Sequence, residues 1–353
     1  MRVLFDALGS PAESGGMRLH ATQVVSTWRE LYPGDDLHLM GPQWATDEQR
    51  FNAVTIHSWP NESVLTRAPG QLLATALVAR RMGADAVISL SPIVTPFSGR
   101  PTIAFQHDWR HIKNPGEFGR AQRLYRQLWK HSARWAGVNA CISQKTIDET
   151  LAVSPRARTA LVPNGHDDAR SWEHTATARI PGQIATFGHH NNKRPELLIR
   201  AMPMIPPAVR PTLIVLGATG QYRQSLSDLA NDLGVSGSVS LPGFVERDEY
   251  EQIVSSSSLI ALVSSDEGFG LPIAEAASLG IPALITSDSG ISEIFGGYAL
   301  EAAPTPEAIA SAVASALSGA TRPGPTLLRT WKDTVRELRT LAAGLARGVP
   351  LPR

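Results

Sequence analysis

Cysteine occurs once in the 353 residues, as Cys141, so no internal disulfide framework can form. It lies in the apolar run Gly137-Val138-Asn139-Ala140-Cys141-Ile142 and reads as an inert, buried strand residue. Long apolar runs are also missing: Leu213–Leu216 and Leu259–Val263 fall far short of the roughly 20 residues that a membrane-spanning helix needs. The Asp-x-Asp triplet is absent, and with it the carboxylate pairing that often fixes a divalent ion beside substrate phosphates, so no metal and no cofactor is expected. Charge of one sign is scarce. A net +1 argues against a dedicated nucleic-acid binder, although residues 1–180 carry 20 Lys and Arg against 16 Asp and Glu. The start, Met1-Arg2-Val3-Leu4-Phe5-Asp6, has no charged n-region, apolar h-region or cleavage site, and the cytoplasm is the expected location.

What is present suits a globular enzyme: 42% hydrophobic and 18% charged residues are enough for a real core. The length exceeds the roughly 250 residues at which single cores stop growing, so two domains are expected. Short apolar runs alternate with helix-length segments. Strands are expected near Val3–Leu8, Asp36–Met40, Val54–His57, Ala86–Leu90, Thr102–Gln106, Val138–Ile142 and Ala160–Val162, then at Ile184–Phe187, Leu213–Leu216, Val239–Leu241, Leu259–Val263 and Ala283–Ile285. Such alternation predicts an α/β fold of two doubly wound, Rossmann-like parallel sheets facing a central cleft. The expected domains are 1–170 and 171–324. A helix within 325–353 is expected to cross back over the junction.

The most informative segment is Ser264-Ser265-Asp266-Glu267-Gly268-Phe269-Gly270-Leu271-Pro272-Ile273-Ala274-Glu275-Ala276, which follows a strand and opens a helix. Gly268 and Gly270 let backbone approach a ligand, and free amides at the helix start suit a diphosphate. Glu275, expected in the first turn, and Glu267 on the loop can both offer carboxylates to sugar hydroxyls. Singly, each also reads as a dipole-complementing or solvated residue. Taken together, the Glu-x7-Glu spacing around Gly-Phe-Gly-Leu-Pro resembles glycosyltransferase family 4, of the GT-B fold. Ile142-Ser143, Val162-Pro163-Asn164-Gly165-His166-Asp167 and Leu241-Pro242-Gly243-Phe244-Val245 follow the pattern of that family in order. The resemblance implies a retaining transfer in which Glu275 binds donor ribose, Glu267 the donor sugar, and Phe244 and Val245 lie beside the base, with Phe269 and Leu271 also donor-binding.

The loop Phe187-Gly188-His189-His190-Asn191-Asn192-Lys193-Arg194-Pro195 carries positive charge beyond a strand end. Lys193, assisted by Arg194, is the candidate for stabilising a leaving diphosphate. Gly188 and His189 are read as donor-binding. The family usually has Arg where His189 stands, and here the loop is one residue shorter. Near the N-terminus, Gly9-Ser10-Pro11-Ala12-Glu13-Ser14-Gly15-Gly16-Met17 is not a dinucleotide fingerprint, but Gly15 and Gly16 can cradle phosphate. Phe105-Gln106-His107-Asp108-Trp109 ends another strand. The resemblance places His107 near the donor-sugar hydroxymethyl, with Asp108 orienting it or touching the acceptor.

Seven Arg and Lys against Glu117 alone lie between Arg110 and Arg134, interleaved with Tyr125, Trp129 and Trp135. This reads either as a solvated helix burying Leu124, Leu128 and the aromatics or as a helix resting on anionic lipid. The resemblance implies a hexosyltransferase acting on a glycan, lipid-linked or small-molecule acceptor, and the missing Asp-x-Asp triplet points to one that is metal-independent. A sugar-nucleotide 2-epimerase of similar architecture, or an inactive nucleotide-sugar-binding partner subunit, fits the same fold.

Overall fold

The computed structural model of the protein describes residues 1–11, 15–173, 178–319 and 329–349. These form two compact units, 1–165 with 329–353, and 166–328.

The first unit is built on seven parallel strands: β1 (Arg2–Asp6), β2 (Asp36–Gly41), β3 (Thr55–Ser58), β4 (Ala86–Ser89), β5 (Thr102–Gln106), β6 (Val138–Cys141) and β7 (Thr159–Leu161). Their order is β3-β2-β1-β4-β5-β6-β7. Every residue of β4, β5 and β6 is buried, as expected of a parallel sheet covered on both faces. Cys141 is among them, and burial pushes its thiol up to about 12, which makes it inert. Helix α1 (Gly15–Leu31) turns Val24, Val25 and Trp28 to the sheet, and Trp28 meets Phe5 edge-on at 5.3 Å. Helix α2 (Arg120–Trp135) buries Tyr125, Trp129, Ser132 and Ala133 against Ile93 and Trp109. Leu124, which the solvated-helix reading would bury, is 76% exposed, because it falls on the charged side of the helix.

The second unit has six parallel strands: β8 (Ile180–Phe187), β9 (Thr212–Leu216), β10 (Val239–Gly243), β11 (Ser257–Leu262), β12 (Ala283–Thr286) and β13 (Leu300–Ala302). They are ordered β10-β9-β8-β11-β12-β13. Helix α3 (Pro195–Ala201) follows β8, α4 (Arg247–Ser256) follows β10, and α5 (Leu271–Leu279) follows β11. Both sheets therefore reverse strand order once, β1 against β4 and β8 against β11. In open α/β sheets ligands bind at the carboxyl ends of the strands at this point.

The last helix, α6 (Trp331–Ala346), belongs to the first unit although it follows the second in sequence. A reciprocal capping box between Thr330 and Asp333 starts it. Thr334 Oγ1 donates to the Pro163 carbonyl at 2.7 Å, and Arg339 binds Asp35 through Nε and Nη2 at 2.7 and 3.0 Å while lying 4.1 Å over the Tyr32 ring. Burial works to raise the Asp35 pKa, but Arg339, the chain amino terminus and Trp28 outweigh it and hold it at about 2. The close approach is made at Gly165, where an added Cβ would lie 2.3 Å from Trp331 N and 2.6 Å from its Cα. Backbone cannot give way as a flexible side chain would. Gly165→Ala is expected to cost about 1–3 kcal/mol and lower the melting temperature by several degrees; an unchanged melting curve would contradict this packing.

Candidate functional site

In the second unit the loops after β8 and β11 meet at the reversal point. Ser265 N donates to the Asn192 carbonyl and Asn192 Nδ2 donates to the Asp266 carbonyl, both at 2.8 Å. This pair of loop-to-loop hydrogen bonds fixes Lys193, in a short 3-10 turn Asn191–Lys193, opposite Glu267. Lys193 Nζ donates to Glu267 Oε1 at 2.6 Å, with side-chain exposures of only 8% and 12%. A third strand end joins through Glu267 N, which donates to the Ser289 carbonyl at 2.8 Å. The candidate leaving-group cation and the candidate sugar-binding carboxylate are thus in contact, each screening the other from the cost of burial.

Arg194 takes a different place. It adopts a left-handed backbone, φ 48, at the start of α3, and its guanidinium grips Asp288 through Nη1 and Nη2 at 2.8 and 2.7 Å while Nε donates to the Val263 carbonyl at 2.9 Å. Burial pushes the Asp288 carboxyl upward, but the Arg194 hydrogen bonds prevail and lower it. Arg194 therefore ties the end of β11 to the turn after β12, with its charge already matched. Gly188 sits deep at the β8 end, whereas His189 is exposed and lies edge-on to His190 at 4.8 Å.

Gly270 starts α5 in the left-handed region, φ 85, where a Cβ would also stand 2.7 Å from Ile291 Cδ1. Only glycine meets both demands. Pro272 follows in the first turn, where its missing amide costs nothing. Gly268 lies just before, Leu271 opens the helix, and both are half-buried. Phe269 turns inward, 5.8 Å from Phe295 and 5.4 Å from His166, so only its backbone can face a ligand.

Because α5 begins at Leu271, Glu275 is its fifth residue and lies one turn deeper than the expected first turn. It is 7% exposed and accepts a hydrogen bond from Tyr250 Oη at 2.6 Å. Burial raises its pKa to about 8; Tyr250 and Arg247 oppose this, and Asp168 and Glu251 add to it. Desolvation and the Glu275 carboxylate push the Tyr250 phenol well above its ordinary value. Around this pair Trp172 Nε1 donates to Asp168 Oδ2 at 3.2 Å, Trp172 packs edge-on to Tyr250 at 5.9 Å, and Arg247 Nε donates to Glu251 Oε1 at 2.6 Å. Asp168, Trp172, Arg247, Tyr250 and Glu251 were not singled out from the sequence. Asp168 and Arg247 stood just past quoted motifs, and the fold alone gathers the others. Phe244, just past β10, is 68% exposed, an unsupported aromatic face, and Val245 beside it is half-buried.

In the first unit His107 stands at the end of β5. Its Nε2 lies 3.0 Å from the Leu90 carbonyl, which can only accept, so that nitrogen carries the proton and Nδ1 is left as an acceptor. Burial lowers its pKa, against the Leu90 bond and Asp108, so the ring is neutral. His20 supports it edge-on at 4.7 Å and itself touches Asn164 Oδ1 through Nδ1 at 2.9 Å. Asp108 Oδ1 accepts from Arg110 N at 3.0 Å. Gly15 and Gly16 are the first two residues of α1; an added Cβ on Gly15 would meet nothing within 4 Å, and Ala12–Ser14 lie outside the described residues. No group of three metal-ligating side chains is found, and no helix is long and apolar enough to cross a membrane, among the described residues.

Comparison with known proteins agrees with this division. Residues 14–170 match the family described as Glycosyltransferase Family 4, and residues 175–330 the family described as Glycosyl transferases group 1. An uncharacterized glycosyltransferase of Methanocaldococcus jannaschii is 36% identical over 99 residues, which is 28% of this chain and 25% of that protein. The D-inositol 3-phosphate glycosyltransferase of Mycobacteroides abscessus is 34% identical over 102 residues, 28% of this chain and 23% of that protein. The matched stretch thus spans about a quarter of the length of either relative. Among solved structures, Anabaena HepE in complex with UDP and glucose aligns over 98% of this chain and 100% of its own, with a TM-score of 0.69 at 18% identity. The two sheets are those of the GT-B fold.

Proposed function

We infer that this chain, a GT-B protein matched in each half by a glycosyltransferase family, moves a hexosyl or deoxyhexosyl group from a nucleoside-diphosphate sugar to a glycan, lipid-linked or small-molecule acceptor, with retention and without a metal. The Lys193–Glu267 pair at the strand reversal supports this reading most directly. A diphosphate arriving beside the amides of α5 competes for the Lys193 ammonium. As Lys193 turns to the phosphates, Glu267 is released to accept hydrogen bonds from the sugar hydroxyls, so binding of the anionic leaving group readies the sugar site. Charge growing on the diphosphate as the glycosidic bond breaks is then met by a fixed cation, an interaction stronger in the transition state than in the ground state. Glu275, steadied by Tyr250, is the partner for ribose, and Phe244 for the base. No enzymic nucleophile is assigned. Attack from the donor's own face, with a donor phosphate oxygen taking the acceptor proton, needs none.

UDP is the first nucleotide to try, because Anabaena HepE is solved with it. At 100 times its dissociation constant a bound nucleotide stabilises the fold by about 2.7 kcal/mol, which a melting screen of UDP, GDP and dTDP resolves. With labelled nucleotide sugar and an acceptor, release of the nucleoside diphosphate and a labelled glycoside is expected, undiminished by excess EDTA. Epimerised donor without transfer, or loss of turnover with EDTA, would overturn the corresponding part.

The exposed Arg120, Arg123, Leu124, Lys130 and Arg134 of α2 extend the reading to a peripheral contact with anionic lipid. Sedimentation with phosphatidylglycerol vesicles at low salt is expected to carry down the protein, and no sedimentation there would remove that contact.

A further inference from the structure

The strand reversal of the first sheet, at the ends of β1 and β4, has chemistry of its own. Arg67, on the helix that opens at Val64, is only 7% exposed. Its Nε and Nη2 both donate to the Asn61 carbonyl, at 3.1 and 2.7 Å, and its Cζ lies 5.6 Å from the Tyr125 ring centre. Among the described residues no carboxylate oxygen comes within 4.0 Å of it. A buried guanidinium whose partners are neutral is a costly arrangement unless an anion completes it.

A second guanidinium stands nearby. Arg126 lies 4.2 Å over Phe118 and 4.4 Å over Trp129, and its Nε is buried without a hydrogen-bond partner. Burial lowers its pKa; Asp108 and Tyr125 act against this, and Arg110 and Arg67 add to it, so these cations repel one another. Between Arg67 and the sheet runs a relay of neutral groups: Tyr125 Oη donates to Gln71 Oε1 at 2.6 Å, and Gln71 Nε2 donates to Ser91 Oγ at 2.9 Å, just past β4. Ser10, just past β1, keeps a fully buried Oγ with no partner, while its carbonyl accepts from Asn61 Nδ2 at 3.3 Å. Asp6, at the end of β1, supplies little countercharge: burial raises its pKa to about 7, against the Leu8 amide and Thr75.

We propose that this reversal point binds an anionic substituent of a substrate, a phosphate or a carboxylate, gripped by Arg67 and Arg126. Guanidinium groups suit both oxyanions because their planar forks pair with two oxygens at once. That this substrate is the acceptor of the transfer rests on the transferase reading; the anion site itself does not.

Titration calorimetry of the full chain with glucose 6-phosphate, glucuronic acid and glucose tests the proposal. At least one charged sugar is expected to bind at least tenfold more tightly than glucose, with Arg67→Met and Arg126→Met each weakening that sugar at least tenfold and leaving UDP affinity within about twofold. Equal affinity for glucose, or a charged-sugar affinity untouched by both substitutions, overturns it. Should Arg67→Met fail to fold, judged by loss of its melting transition, the affinity of Arg126→Met for the charged sugar decides the matter alone. Failure of the unaltered chain to bind any of UDP, GDP and dTDP would count against the transferase reading instead, and leave the charged-sugar comparison standing.

Discussion

Replacing Lys193 with alanine should reduce turnover by about 10²–10³-fold, with a much smaller change in the donor KM. Two loop-to-loop hydrogen bonds fix the backbone that carries Lys193, so only its side chain has to turn from Glu267 to the diphosphate. Charge on the departing diphosphate is greatest in the transition state, which is why the loss should fall on kcat. The substitution also removes the Lys193 ion pair from Glu267, whose side chain is 12% exposed. Breaking a buried ion pair from one side typically costs about 3–5 kcal/mol of stability. The double substitution Lys193→Ala with Glu267→Gln therefore separates the two effects: stability should return while turnover stays low. Turnover of Lys193→Ala within a factor of about three of the unaltered protein would dismiss Lys193 as the leaving-group cation.

Glu275→Gln should change the pH dependence of stability more than any other single substitution in the second unit. The folded carboxyl titrates at about 8 against an ordinary value of 4.5. Between these values the folded chain holds a proton that the unfolded chain has released, so stability is full below the lower value and falls as pH rises towards the upper. At roughly 1.36 kcal/mol per pH unit the loss is on the order of 5 kcal/mol across the window. Glutamine keeps an oxygen for Tyr250 and never ionises, so the variant should be equal to the unaltered protein near pH 4 and increasingly more stable towards pH 8. Asp6 adds a slope of the same sign, which both proteins share and the difference removes. Parallel melting curves from pH 4.5 to 8 would show that Glu275 ionises as readily as an exposed carboxyl. The same substitution should weaken nucleotide binding above about pH 8, where Glu275 is a carboxylate able to accept two ribose hydroxyls and an amide oxygen accepts less strongly.

Strand periodicity was legible because parallel strands buried on both faces are continuous apolar runs, and twelve of the strands stand within a few residues of their expected places. The thirteenth, Leu300–Ala302, is three residues long with an exposed Glu301 at its centre, so it carries no such run. β8 begins at Ile180, ahead of the expected Ile184, because Pro181 and Gly182 read as a turn while the backbone continues as strand. In the site, glycine and proline spacing marked the helix entry at Leu271, yet the depth of Glu275 depended on where Gly270 leaves the left-handed region. Arg194 and Lys193 are neighbours of equal charge in the sequence. Only the position of Asp288, 94 residues on, shows that one is a strut. Tyr250 and Asp168 reach Glu275 through tertiary packing, which no local pattern reports.

The chain position of α6 bears on how the protein is made. Everything from residue 166 to 328 is interposed within a unit whose last helix is synthesised after the second unit. During translation the nucleotide-side sheet has all its strands available well before Trp331 emerges to cover His20 and meet Gly165. The part begun first is therefore completed last, and a ribosome that stalls short of Thr330 would release a chain with a finished second sheet and an open flank on α1.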